Sequence, residues 1–153
     1  MAKVIVVYES KYGNTKQVAE TIVEGMNEIE RIEAVLKEPK HVEPTEVLDY
    51  DVILIGSPNH IGGPTRGIRK FIDKLGKIGL EGKPGAVFDT HMGGDFNKAV
   101  RKMEKRINEM VHGLKLITSG LSIKVGGTKG PIVEGELPKC KDFGKKIASQ
   151  LET

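Results

Sequence analysis

Small and hydrogen-bonding residues cluster in the stretch "YESKYGNTKQVAETI", residues 8–22. Where such a stretch leads into a helix, the first backbone N–H groups lack acceptors and carry partial positive charge. Gly13 lets the backbone approach an anion closely, and Ser10 and Thr15 add hydroxyl groups. We therefore predict a loop at residues 10–15 that binds an anion such as phosphate. Ordinary capping of the helix by Asn14 or Thr15 is the alternative.

Other known phosphate-binding patterns are absent from the sequence. No Gly-Lys pair is followed by Ser or Thr, so the P-loop motif is missing, and no G-x-G-x-x-G follows the first apolar run. Both absences argue against ATP hydrolysis and against a dinucleotide-type Rossmann site. A phosphorylated receiver domain needs a carboxylate after the third strand, where this chain has Gly56, Ser57 and Pro58.

Two more loops are rich in small polar residues. They are "SPNHIGGPT" at 57–65 and "DTHMGGD" at 89–95. Each follows a short apolar run, as the first loop does, so all three come at the carboxyl end of a predicted strand.

The elements that position these loops alternate along the chain. Apolar, β-branched runs predict strands at 3–8, 31–36, 51–57, 83–89 and 114–118. Apolar residues at helical spacing predict helices at 18–29, 68–75, 100–111 and 143–151, the third ending near Gly113. Residues 119–137 are left open: they extend the fifth strand, add a hairpin or form a loop.

This alternation predicts a three-layer α/β fold, a five-stranded parallel sheet with helices on both faces. The 153 residues suit a single domain, residues 1–153. In a sheet of order 2-1-3-4-5, ligands bind beyond the carboxyl ends of strands 1 and 3. The first two loops lie there, and the third lies beside them.

The charge composition of the chain limits the classes of molecule that we expect it to bind. The formal net charge is +3 and the pI about 8.9, with lysines concentrated at 98–106 and 139–146. Aromatic residues are not interleaved with these lysines, so we expect solvated helix faces and no nucleic-acid partner. An acidic protein partner stays possible on these grounds.

Location and metal binding follow from what the sequence lacks. No apolar run reaches the roughly 20 residues of a membrane span, and no signal peptide is recognisable, so we expect a cytoplasmic protein with no membrane partner. Cys140 is the single cysteine, and the four histidines show no zinc-ligand spacing. We expect neither a disulfide within the chain nor a bound metal.

Together, "SKYGNT", "SPNHIGG" and "DTHMGGD" resemble the loops of the flavodoxin family, and the resemblance spans essentially the whole chain, without a long insertion in the last strand. The family implies non-covalently bound FMN. By motif position, its phosphate would be held by Ser10, Lys11, Tyr12, Gly13, Asn14 and Thr15. One side of its ring would contact Ser57, Pro58, Asn59, His60, Ile61, Gly62 and Gly63. The other side would contact Thr90, His91, Met92, Gly93, Gly94 and Asp95.

The sequence also departs from the family pattern. Family members commonly place Trp and Tyr against the ring, but this chain has no Trp and no Tyr in its second or third loop. His60, Ile61, His91 and Met92 are left to cover the ring. The basic pI is unlike the acidic norm of the family, which suggests an oppositely charged or different docking face. Gly62 and Gly63 are candidates for a peptide flip that accompanies reduction of the ring.

The resemblance implies an electron carrier that shuttles electrons between redox partner proteins. We separately expect a monomer or weak homo-oligomer. Such a carrier needs no side chain as a catalytic acid, base or nucleophile. The alternative is an NAD(P)H:quinone oxidoreductase of the same superfamily, in which His91 would protonate a quinone oxygen. A third possibility is a scaffold of this fold that binds no flavin.

Overall fold

The strands form one parallel sheet. The computed structural model describes residues 1–151 of the chain. Its strands are β1 (Ala2–Tyr8), β2 (Ile32–Lys37), β3 (Val52–Pro58), β4 (Lys83–His91), β5 (Leu114–Leu116) and β6 (Leu121–Lys124). They follow the order β2-β1-β3-β4-β5, and β6 also pairs with β4; each of these pairings is parallel. The predicted α/β fold and strand order are confirmed.

The expected fifth strand is split in two. β5 pairs with the beginning of β4, and β6 pairs with its end, where Phe88 lies opposite Leu121. Residues 117–120 interrupt the strand, and the N–H of Gly120 donates to the carboxylate of Glu104 at 3.0 Å. Of the possibilities left open for residues 119–137, strand extension is therefore correct for β6, and the sheet has six strands instead of five.

Four helices cover the two faces of the sheet. They are α1 (Asn14–Ile29), α2 (Arg66–Leu75), α3 (Lys98–Met110) and α4 (Leu137–Leu151). α1 and α4 pack on one face, and α2 and α3 pack on the other. α3 ends at Met110 rather than near Gly113. Two 3₁₀ turns, Pro39–His41 and Pro44–Asp49, lie between β2 and β3.

The central strands are buried on both sides. In β1, Val4 and Val6 face the α1–α4 layer, whereas Ile5 and Val7 face the α2–α3 layer. Such strands read as continuous apolar runs because neither face contacts water. This burial explains why the strands were recognisable from the sequence.

α1 and α4 approach each other more closely than helices with ordinary side chains can. A Cβ atom on Gly25 would lie 2.1 Å from the carbonyl oxygen of Lys141, and one on Gly144 would lie 2.0 Å from that of Ile22. The two glycines therefore allow direct contact between the two backbones. This contact joins the beginning of the chain to its end.

Within residues 1–151, no helix has the length and apolar character needed to cross a membrane.

Candidate functional site

The first loop joins β1 to α1 and turns at Gly13. Gly13 has φ 91° and is the N-cap of α1, in a left-handed conformation that costs other L-residues about 1–2 kcal/mol. The Ser10 hydroxyl accepts the N–H groups of Gly13 and Lys16 at 3.1 and 3.2 Å. The alternative, in which Asn14 or Thr15 caps α1, is not found, because Gly13 takes the cap position and the Ser10 hydroxyl supplies the oxygen.

Five backbone N–H groups of this loop have no acceptor among the described residues. They belong to Ser10, Lys11, Tyr12, Asn14 and Thr15. Unpaired donors at a helix N-terminus attract an anion through hydrogen bonds and through the partial positive charge of the helix end. The first loop therefore has the donors that a phosphate group requires.

Thr15 connects the first loop to the third. Its side chain is buried, and its hydroxyl shares a hydrogen bond of 3.0 Å with the buried hydroxyl of Thr90. Thr15 follows β1, and Thr90 lies near the end of β4, 75 positions later in the sequence. The two residues meet because β1 and β4 are the two neighbours of β3 in the sheet.

The second loop is fastened at its base. The buried Ser57 hydroxyl accepts the N–H of Thr65 at 3.0 Å. Asn59 donates to the carbonyl of Thr90 from its backbone N–H at 2.9 Å and from its side-chain amide at 3.0 Å. Its amide oxygen accepts the N–H of Ala99 at 3.0 Å, at the start of α3. Asn59 thus ties the second loop to the third and to α3.

The tip of the second loop projects into solvent. The N–H of His60 donates to the carbonyl of Gly63 at 2.7 Å, and Ile61 and Gly62 have φ 53° and 71°. A positive φ is unusual for a β-branched residue and is a sign of local strain. The side chain of Ile61 is nevertheless 93% exposed. The loop presents an apolar side chain to solvent at an energetic cost.

The carboxylate of Asp89 lies buried at the end of β4. It accepts the Ser122 hydroxyl at 2.5 Å and the N–H of Val100 at 3.0 Å. Burial raises the pKa of Asp89, and the hydrogen bonds from Ser122 and Val100 oppose this shift. The carboxylate holds the N-terminus of α3 and β6 against the strand.

β4 continues two residues beyond the predicted strand, so Thr90 and His91 belong to the sheet. The ring of His91 is buried, and its Nδ1 accepts the N–H of Gly93 at 2.9 Å. Because Nδ1 accepts, the neutral ring carries its proton on Nε2, which is buried and has no hydrogen-bond partner among the described residues. Burial lowers the pKa of His91, opposed by the charges of Asp89 and Glu136.

The third loop is at least partly exposed from Met92 to Asp95, and Phe96 directly after it is exposed as well. Met92 is 58% exposed and Phe96 is 61% exposed, while Asp95 forms an ion pair with Lys98 at 3.5 Å. The ring of Phe96 contacts that of His91 edge to face, with centroids 5.3 Å apart. Sequence reasoning missed Phe96, although an aromatic residue directly after the third loop was the available signal.

A fourth loop at residues 124–131 also borders the site, and sequence reasoning missed it. A Cβ atom on Gly130 would lie 2.5 Å from the side-chain oxygen of Asn14. The Thr128 hydroxyl lies 3.8 Å from the sulfur of Met92. The glycine-rich "VGGTKG" was the available signal, but it has no strand or helix periodicity.

A cavity of about 630 Å³ adjoins the first loop on the side of β2. It is lined by Tyr8, Ser10, Gly13, Lys16, Leu36, Lys37, Glu38 and His41. None of its lining residues belongs to the second or third loop, so it provides room beside the predicted phosphate position only.

Cys140 lies away from these loops, in α4. The thiol is buried, and burial raises its pKa to about 12, which makes it a poor nucleophile at neutral pH. Among residues 1–151, no group of three or more His, Cys, Asp or Glu side chains is placed to hold a metal ion.

The geometry therefore defines a parallel α/β protein with a loop of unpaired N–H donors at the switch point of its sheet. A sequence profile of the family described as "Flavodoxin" matches residues 6–132. The chain belongs to the flavodoxin family, whose members bind a flavin and transfer electrons to redox partners.

Three similar proteins illustrate the relationship. A "Flavodoxin" from Aquifex aeolicus is 29% identical, with 97% of this chain and 86% of that protein covered. The crystal structure of oxidised Flavodoxin 2 from Bacillus cereus is 32% identical, covers 99% of this chain and all of its own, and has a TM-score of 0.81. An "NAD(P)H dehydrogenase (quinone)" from Archaeoglobus fulgidus is 27% identical, with 99% of this chain and 98% of that protein covered.

Proposed function

We propose that the protein binds FMN non-covalently and carries electrons between redox partner proteins. The observation that supports FMN most directly is the set of five unpaired N–H donors in the first loop, from Ser10 to Thr15. A flavin without a phosphate group leaves these donors without an acceptor, so they favour a phosphorylated flavin. Ser10 holds the loop in shape before the ligand arrives, through its bonds to the N–H groups of Gly13 and Lys16.

The isoalloxazine ring is proposed to lie between the second and third loops. Exposed apolar side chains are available on both sides, Ile61 on one and Met92 and Phe96 on the other. They would flank an apolar ring where other family members use Trp and Tyr. His60 is exposed and His91 is buried beneath the third loop, so in this arrangement His91 supports the loop and does not itself face solvent.

FMN supplies the electron-transfer chemistry when it is bound. The residues of the chain bind and orient it, and they control access of water to its ring. No side chain in the three loops is required as a nucleophile. Asp89 is buried and engaged by Ser122 and Val100, which leaves it a structural role.

A second candidate is an NAD(P)H:quinone oxidoreductase. It is favoured by the similarity over nearly the whole chain to the Archaeoglobus fulgidus protein with that name. In such an enzyme His91 would first take up a proton and then, as the imidazolium, donate one from Nε2 to a quinone oxygen and return to the neutral ring. Burial lowers the pKa of His91 and opposes the first of these steps. The donation requires the third loop to open, because Nε2 is buried.

Titration of flavin-free protein tests FMN binding. FMN, riboflavin and FAD are added separately, and quenching of flavin fluorescence gives each Kd. Hydrogen bonds to a charged group contribute about 1.5–3 kcal/mol each, so we expect FMN to bind at least about 100-fold more tightly than riboflavin. Equal affinities for FMN and riboflavin would contradict the phosphate site, and no binding of any flavin would support a scaffold.

Adding NAD(P)H and then a quinone to the FMN-loaded protein separates the two functions. A carrier keeps its flavin oxidised with bare NAD(P)H over minutes. An oxidoreductase bleaches the flavin absorbance and turns over when quinone is added.

We also propose that residues 1–153 act as one domain. The contact between α1 and α4 supports this, because it joins the two ends of the chain. Limited proteolysis of the FMN-loaded protein should leave one resistant fragment of nearly full length, and two stable fragments would contradict the proposal.

A further inference from the structure

Five exposed lysines surround the loops at the carboxyl edge of the sheet. Lys98 and Lys102 of α3 lie against Gly62 and Gly63 of the second loop, and Lys124 lies against Gly93 of the third. The Nζ atoms of Lys11 and Lys129 lie 5.5 and 6.0 Å from the ring centroid of Tyr12. We call Lys11, Lys98, Lys102, Lys124 and Lys129 the basic rim.

The positive charge of the basic rim is largely uncompensated. Among the described residues, only Lys98 of the five forms an ion pair, with Asp95 at 3.5 Å. The four loops at this edge, residues 10–15, 57–65, 89–95 and 124–131, contain two acids, Asp89 and Asp95. Asp89 is buried, so Asp95 is the one acid there that reaches the surface.

Charges on other surfaces of the molecule are paired more often. Glu28 of α1 lies 3.8 and 3.5 Å from Lys141 and Lys145 of α4. Arg106 of α3 forms a bidentate pair with Asp73 of α2, with distances of 2.6 and 2.7 Å. What distinguishes the loop edge is therefore its shortage of acids, with Asp95 as the one carboxylate of the four loops that reaches the surface, beside five exposed lysines.

Exposed apolar side chains lie within the basic rim. Ile61, Met92 and Phe96 are 93%, 58% and 61% exposed. Ile61 holds its side chain outward with φ 53°, a conformation that is costly for a β-branched residue. An apolar centre with a charged border is the usual anatomy of a protein-binding surface.

We propose that this edge docks a redox protein with an acidic surface around its own redox centre. The inference rests on the proposed electron-carrier function and adds the chemistry of the partner. Acidic side chains of the partner pair with the basic rim, while its apolar centre meets Met92 and Phe96. Complementary charges raise the rate of encounter and fix the orientation, and both effects weaken as salt rises.

A protein partner fits this edge better than a nucleic acid does. Nucleic-acid sites that lack sequence preference use aromatic side chains for successive bases along a basic groove. Here the lysines encircle an aliphatic and aromatic centre, with Ile61 at the protruding tip of the second loop.

The test uses two probes of opposite charge. They are an acidic plant-type [2Fe–2S] ferredoxin and a basic mitochondrial cytochrome c, titrated against the full-length protein with and without FMN at 20 and 200 mM salt. We expect the ferredoxin to bind and the cytochrome c to bind at least about tenfold more weakly at 20 mM salt. Ferredoxin binding should weaken at 200 mM salt.

Two triple variants provide a matched comparison. Lys102→Glu/Lys124→Glu/Lys129→Glu reverses three rim charges outside the predicted FMN residues. Lys77→Glu/Lys115→Glu/Lys146→Glu reverses three exposed lysines that have no ion pair among the described residues and lie in other parts of the fold. Both lower the net charge equally. We expect the rim variant to weaken ferredoxin binding at least about tenfold, and the control variant to change it less than threefold.

The possible outcomes distinguish a failure of the proposed docking surface from a failure of the proposed FMN binding. Ferredoxin binding that depends on the rim, without FMN binding, would support the docking surface and overturn the proposed carrier function. FMN binding with equal effects of the two triple variants, or with preference for cytochrome c, would overturn the docking surface alone. Rim-dependent binding of a 20-mer single-stranded oligonucleotide, without ferredoxin binding, would also overturn it.

Discussion

The first and third loops meet at the same edge of the sheet but use their polar groups in opposite ways. The first loop leaves the N–H groups of Lys11 and Tyr12 unpaired. In the third, Asp89 and Thr90 hold other parts of the protein through hydrogen bonds, and the ring of His91 holds Gly93 of the loop itself. The first loop has free donors for a ligand, whereas the polar groups of the third loop are used in hydrogen bonds within the protein.

This difference indicates a division of roles within one binding edge. Open donors favour a ligand only if their positions are fixed beforehand, because otherwise binding has to order the loop. The hydroxyl bond between Thr15 and Thr90 supplies such a fixed attachment. The internally bonded third loop therefore serves the open first loop as a support.

The largest expected effect is a loss of unfolding free energy when the third loop, which supports the first, is altered. Asp89→Ala leaves the Ser122 hydroxyl and the Val100 N–H without their buried acceptor. We expect the flavin-free protein to lose about 2–4 kcal/mol of unfolding free energy, measured by urea denaturation. Asp89→Asn keeps one acceptor oxygen and should lose less. A loss below about 0.5 kcal/mol in Asp89→Ala would remove the supporting role assigned to the carboxylate.

The open loop should respond in its ligand affinity. Gly13→Ala places a side chain at φ 91°, with no atom close enough to clash. We expect a loss of about 1–2 kcal/mol in the flavin-free protein and at least about tenfold weaker FMN binding.

A matched glycine distinguishes strain from binding. Gly82 has φ 83° and equally open surroundings, but it lies outside the three loops. Gly82→Ala should therefore cost similar stability and leave the Kd for FMN unchanged. If both variants weaken FMN binding alike, the open donors of the first loop are not the reason for binding.

The attachment between the two loops can be measured by a double-mutant cycle. Thr15→Val and Thr90→Val each leave one buried hydroxyl without its partner, whereas the double variant removes both. We expect the double variant to lose less than the two single losses combined, with a coupling of about 1 kcal/mol. Additive losses in urea denaturation would show that the two loops are independent.

The smallest effect concerns His91 and pH. Burial holds its pKa below the ordinary value of 6.5, so below that pH the unfolded chain takes up a proton that the folded protein resists. Stability from this residue is complete above pH 6.5 and falls as the pH decreases below it. Asp89 changes stability with pH in the opposite direction. Because its pKa is raised, its contribution to stability is complete below pH 3.8 and falls as the pH increases above that value.

His91→Gln isolates that contribution. The variant should flatten the decrease in unfolding free energy between pH 7 and pH 5, measured by urea denaturation at each pH. An unchanged slope would mean that the histidine is not protected from protonation in the folded protein.

Several parts of this architecture follow from the sequence, for physical reasons. β1 and β3 are buried on both faces, so their apolar runs are unbroken and their order follows from right-handed crossovers. The first loop was recognisable because Gly13 and its neighbours form a local pattern between strand and helix.

The rest depends on contacts between distant residues. β4 extends through His91 because it pairs with β6 there, at Lys124. That pairing also determines where residues 124–131 lie, and so brings Gly130 against Asn14. No local periodicity contains this information. Phe96 was overlooked because its position over His91 results from how the third loop folds back.

The close contact of Gly25 with Lys141 and of Gly144 with Ile22 has a consequence during translation. α1 is synthesised about a hundred residues before α4, which at roughly 5–20 residues per second takes on the order of 5–20 s. Throughout that interval the apolar side of α1 lacks its partner helix and is open to chaperones. The helical layer formed by α1 and α4 can be completed only after α4 has emerged from the ribosome.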